Sequence, residues 1–91
     1  MALTKETVVD KIEVIENGVV QVRTATRVLE DGVQLSQSYH RHFLEPNMKI
    51  DGSWTDTDIS GEDARVQAIA TATWTSAVKT AYQEMADAQE L

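Results

Sequence analysis

Cysteine is missing from this chain of 91 residues, and its absence removes disulfide staples, thiolate zinc sites and cysteine nucleophiles together. No stretch reaches the about 18 consecutive apolar residues that a membrane-spanning helix needs. The start, Met1-Ala2-Leu3-Thr4-Lys5-Glu6, lacks the apolar run of a signal peptide, so the chain reads as soluble and made in a cytoplasm. Basic residues are scarce: eight Lys and Arg stand against fifteen Asp and Glu, for a net charge of -7. Residues 1–44 hold five basic and six acidic side chains, residues 45–91 three and nine. A nucleic-acid binder draws its general affinity from neutralised phosphates and released counterions, and the chain as a whole lacks the basic footprint for that. Also missing are a Gly-rich phosphate loop, a Ser/His/Asp arrangement, an internal repeat and a low-complexity tract. No enzyme and no cofactor is expected.

What is present is strand and turn chemistry. Glu16-Asn17-Gly18 and Glu30-Asp31-Gly32 are tight-turn signals, because glycine supplies the positive φ that short hairpins require. They divide the first half into three strands at about 7–15, 19–29 and 33–44, the last stopped by Glu45-Pro46, the only proline. Register follows from asking which loop length gathers apolar residues on one face. A three-residue loop at Glu16-Asn17-Gly18 sets Val14 against Val20, Ile12 against Val22 and Val8 against Thr26. A two-residue Asp31-Gly32 turn sets Val28 against Leu35, Thr24 against Tyr39 and Val20 against Phe43. The expected core face is then Val8, Ile12, Val14, Val20, Val22, Val28, Leu35, Tyr39 and Phe43. Asp10 and Arg41 interrupt it and are expected to lean off the edge strands into water, as charges on sheet edges do.

The second half reads as helical from 61 to 88. Ser60 is the expected N-cap, with Glu62 and Asp63 in the first turn, and an apolar stripe of helical spacing runs from Val66 through Trp74 and Val78 to Met85. Thr75-Ser76 can cap a second helix, so a break near Trp74 is favoured over one long helix. Residues 45–60 read as a polar loop. Its Trp54 is expected either to plug the open edge of the core or to serve as an exposed contact residue.

The face turned away from the helices is expected to carry Lys11, Glu13, Arg23, Arg27, His40 and His42, and with Trp54 these form the candidate interaction surface. His40-Arg41-His42 puts two imidazoles on one side of a strand, about 7 Å apart. A metal site there needs a third ligand, for which Glu13 is the one credible residue, and a solvated or partner-facing polar face is the preferred reading. Asp51, Asp56, Asp58, Glu62 and Asp63 do not follow the spacing of a calcium loop and read as a solvated acidic segment.

The start Ala-Leu-Thr-Lys-Glu-Thr-Val-Val-Asp-Lys-Ile-Glu-Val, with Gln21-Val22-Arg23-Thr24-Ala25-Thr26, Ser38-Tyr39-His40-Arg41-His42 and Ser60-Gly61-Glu62-Asp63, resembles small proteins encoded among the structural and tail-fibre genes of tailed bacteriophages. The resemblance implies a setting, the virion or the infected host cytoplasm, and carries over no catalytic or binding residue. The expectation is an α+β chain of residues 1–91, a three-stranded antiparallel meander with a C-terminal helical layer on one face. Its expected role is that of a non-enzymatic phage structural or accessory protein working through contacts with itself or with a virion component. The alternative is a soluble protein that blocks a host factor. A nucleic-acid contact through Lys11, Arg23, Arg27 and His40 stands third.

Overall fold

A computed structural model describes residues 2–89 and has the α+β architecture expected. Strands β1 (Leu3–Val14), β2 (Val20–Glu30) and β3 (Val33–Leu44) form an antiparallel sheet in the order β1-β2-β3. A small hairpin follows, β4 (Asn47–Ile50) with β5 (Ser53–Asp56), and then two helices, α1 (Ala64–Thr73) and α2 (Ser76–Gln89).

Both turns have the expected lengths. Ile15 and Val19 close the first hairpin around Glu16-Asn17-Gly18, with Gly18 at φ 93°, and Val14 stands opposite Val20 and Ile12 opposite Val22. The second turn has Asp31 at φ 51° and Gly32 at φ 84°, the pair of positive values that a two-residue type I′ turn needs, and it pairs Glu30 with Val33.

The registers change beyond those turns. β1 and β3 have 12 residues each and the central β2 has 11, so each outer strand carries one residue too many for a regular ladder. β1 releases its extra residue at Asp10, after which Val8 pairs with Ala25 and not Thr26. In β3 it is released at Leu35, between the Val28–Ser36 and Leu29–Gln34 pairs. Tyr39 therefore stands opposite Ala25 and Phe43 opposite Gln21, while His40 and His42 stand opposite Thr24 and Val22.

This reverses the expected faces of the third strand. Leu35, Tyr39 and Phe43 are exposed, Phe43 at 62%, and the helix side receives Leu44 in their place. The physical reason lies at the far end of β3. Pro46 is fully buried against Gly18 and Leu44 stands opposite Val20. That end is anchored to the core, the other end is fixed by the turn, and a bulge absorbs the difference between them.

Val20, Val22, Val66, Ala70 and Trp74 are the buried core cluster, with Val9, Ile12, Leu44, Ile59 and Val78 packed around it. Asp63, and not Ser60, caps α1 by accepting from the Arg65 amide at 2.8 Å. The expected break falls at Trp74-Thr75, where the Thr75 hydroxyl accepts from the Val78 amide and starts α2.

The segment expected as a loop contains the β4–β5 hairpin, which turns on Asp51 (φ 51°) and Gly52 (φ 81°). The Asp-Gly pair was its sequence signal, the same one that marks Asp31-Gly32.

The helices cover only the Val20–Leu44 end of the sheet, and its other half projects past them. The radius of gyration is 17.1 Å and the long axis 57 Å, whereas a compact chain of this length has a radius of about 12 Å.

Candidate interaction surface

The face of the sheet opposite the helices is organised around the Asp10 bulge. The extra residue bends β1 and turns the Asp10 carboxylate onto Arg23, which donates from Nε at 3.0 Å and Nη2 at 2.8 Å. Such a bidentate pair fixes the guanidinium plane as well as its position. Asp10 is thus bridged and part-buried instead of leaning into water.

Fixed in this way, the guanidinium lies over the Tyr39 ring, 4.3 Å from its centre, and Arg41 approaches the same ring at 5.7 Å. Gln37 donates to the Tyr39 hydroxyl at 2.5 Å and accepts from Arg27 Nε at 2.7 Å, and Glu6 lies 3.6 Å from Arg27. Ala25, paired with Tyr39, is fully buried in the middle of this arrangement.

The hydrogen bonds and charge of Arg23 hold the Asp10 carboxyl below its ordinary value, and the same bonds raise Arg23. Lys11, 2.9 Å from Glu13, holds that carboxyl low in the same way.

Of the expected surface residues, Lys11, Glu13, Arg23 and Arg27 do share this face. His40 and His42 do not. The bulge at Leu35 places them on the helix side, where their rings stack with centres 6.2 Å apart and His42 meets Glu62 at 2.8 Å. Glu13 lies on the other face from them. Among the described residues no three His, Asp or Glu side chains come together to hold a metal ion.

Trp54 joins neither group. Opposite Lys49 on β5, it meets Tyr82 of α2 edge-on at 6.2 Å and ties the small hairpin to the helix. The core is closed instead by Trp74, which is 8% exposed and whose indole N–H donates to the Gly18 carbonyl at 2.7 Å.

Val8, expected in the core face but standing opposite Ala25, joins Asp10, Gln37, Tyr39, Arg41 and Phe43 on the open face, where the sequence pattern did not assign them. No local signal in the sequence marks either bulge. A second feature, an open groove of about 600 Å³, runs between the first turn and α2 and is walled by Ile15, Val78, Ala81, Tyr82 and Met85.

No family model, no curated protein and no solved structure matches the chain. No helix among the described residues is long and apolar enough to cross a membrane.

Proposed function

We propose that the chain is a non-enzymatic assembly protein, a structural or accessory component acting through protein–protein contacts, in the phage setting that its sequence resemblance implies. One observation carries this reading: the sheet runs well past its own core. From Val33 through Arg41 every residue of β3 is exposed, and so is β1 from Leu3 through Thr7. A three-stranded sheet holds its shape through an apolar face packed on something. Here only the Val20–Leu44 end meets the chain's own helices, so the arm is suited to completion by another polypeptide.

The cations on the open face weigh against a nucleic-acid role. Arg23, Arg27 and Lys11 each contact a carboxylate of the same face, Asp10, Glu6 and Glu13. Among the described residues this leaves Arg41, 5.7 Å from the Tyr39 ring, as a lone cation there, too little to release counterions from phosphate on the scale such binding needs. A salt titration of binding to DNA or RNA checks this, with no measurable binding at low salt as the expected result.

The direct test of the assembly reading is mass spectrometry of purified particles from infected cells. The protein is expected among the particle components. Its absence from particles, together with co-purification of a bacterial protein, would replace this reading with the host-factor one.

A further inference from the structure

We infer that the outer edge of β3 pairs antiparallel with the same edge of a second copy, across a two-fold axis passing at His40, to make one continuous sheet of two chains. This deepens the assembly reading and rests on it, and narrows it to one edge and one partner.

The two edges of the sheet are guarded very differently. β1 carries Lys5, Glu6, Asp10, Lys11 and Glu13 among its 12 residues, and its ladder is broken by the Asp10 bulge. Charges and bulges are the devices that keep an edge strand from accepting another strand. β3 has no acidic residue and one permanent charge, Arg41, among its 12 residues. Its single bulge, at Leu35, lies near the tip and leaves Ser36 through Leu44 in unbroken register with β2.

That regular stretch determines the geometry of a self-paired edge. A closed pair uses the same surface on both copies, so its axis passes through the middle of the segment, which is His40. The axis stands perpendicular to the sheet, and each face therefore continues as the same face of the second copy. On the open face Arg41 meets the partner's Tyr39 and Phe43 meets the partner's Gln37. On the helix side Ser38 meets the partner's His42 and Ser36 the partner's Leu44.

The Arg41 charges are not set directly against each other. Each guanidinium, already 5.7 Å from one tyrosine ring, gains a second ring within cation–π reach. The helical layers stand at opposite ends of the joined sheet, because each lies at the Leu44 end of its own β3.

Nine paired residues span roughly 30 Å and bury on the order of 300 Å² per chain, below the roughly 800 Å² of a standard interface. The pair is therefore concentration-dependent, and reaches full occupancy where copies are crowded together.

The lack of cysteine makes the test direct. Directly opposed residues have Cβ atoms roughly 4.5–5.5 Å apart, close to disulfide geometry. Oxidised His40→Cys is expected to give a cross-linked species of twice the 10.1 kDa chain mass, and Thr7→Cys on the β1 edge is expected to give none. In the wild type, light scattering is expected to show the mass doubling as concentration rises, and Ser38→Lys, with its circular dichroism unchanged, to abolish that doubling. A mass that stays monomeric at every concentration would overturn the pairing, as would equal cross-linking through Thr7→Cys or growth of open fibres. If the pairing fails while the protein is still found in particles, the β3 edge is the wrong surface and the assembly reading stands. Absence from particles removes the assembly reading itself.

Discussion

The indole nitrogen of Trp74 donates to the carbonyl of Gly18 across 2.7 Å, joining the break between the two helices to the first turn of the sheet. Both partners are buried, so a phenylalanine at this position leaves the Gly18 carbonyl without its donor. Trp74→Phe is expected to cost about 1–3 kcal/mol and Trp74→Ala about 3–5 kcal/mol. Urea unfolding followed by circular dichroism measures both, and a Trp74→Phe variant as stable as the wild type would show that the hydrogen bond contributes nothing.

Gly18 is constrained twice. Its φ of 93° disfavours any side chain, and a Cβ there would come within 2.6 Å of Val78 Cγ1 and 2.9 Å of Pro46 Cγ. Gly32 shares the positive φ but has open space around it. Gly32→Ala is expected to cost about 1 kcal/mol from the backbone alone, and Gly18→Ala at least twice that. Melting temperatures rank the two, and Val78→Ala in the Gly18→Ala background is expected to restore part of the loss.

The Arg23 hydrogen bonds keep Asp10 ionised below its ordinary value of 3.8. A carboxyl lowered by folding contributes stability that is present above that ordinary value and is lost as the pH falls through the lowered folded value. Asp10→Asn is expected to lower stability at neutral pH and to flatten its decline in acid. Denaturation midpoints from neutral pH down to about pH 3 check this, and an unchanged acid slope would dissociate the pair from stability.

Tyr82 gives the opposite sign at the alkaline end. Burial, then the hydrogen bond to the Glu45 carboxylate at 2.6 Å, pushes its phenol from 10.0 up to about 12. Its contribution is fully present below pH 10.0 and is lost as the pH rises through about 12. Tyr82→Phe is expected to lose less stability than the wild type between about pH 9 and about pH 12, read from urea midpoints.

Deleting Leu35 makes β3 the same length as β2. The side chain is 56% exposed and its removal leaves Ser36 through Leu44 in place. The deletion is expected to change stability by less than about 1 kcal/mol, whereas deletion of Leu44 displaces a residue packed on the core and is expected to cost at least twice as much. Thermal melts of the two deletions separate these outcomes.

The turns, the strand limits at their ends and the helix break were legible because their chemistry is local. Asn17-Gly18, Asp31-Gly32 and Thr75-Ser76 act within a few residues of themselves. The faces of β3 were not legible, because they depend on Pro46 meeting Gly18 from a position 28 residues away. Counting outward from Asp31-Gly32 gives the correct register only as far as Gln34. For that reason His40 and His42 were expected beside Arg23, and Tyr39 and Phe43 in the core. Trp54 and Trp74 exchanged their expected importance for a related reason: the short hairpin that holds Trp54 against Tyr82 was hidden in a polar segment that reads as loop.

Because the bulge at Leu35 takes up the mismatch between the Asp31-Gly32 turn and the end of β3 held at Leu44 and Pro46, the register at the base of the sheet is set independently of the turn at its tip. Residues added in opposing pairs near Asp31-Gly32 would lengthen the projection while Val20, Val22 and Leu44 kept their places. The span of the molecule is thus adjustable like a ruler whose zero mark is fixed at Trp74 and Gly18.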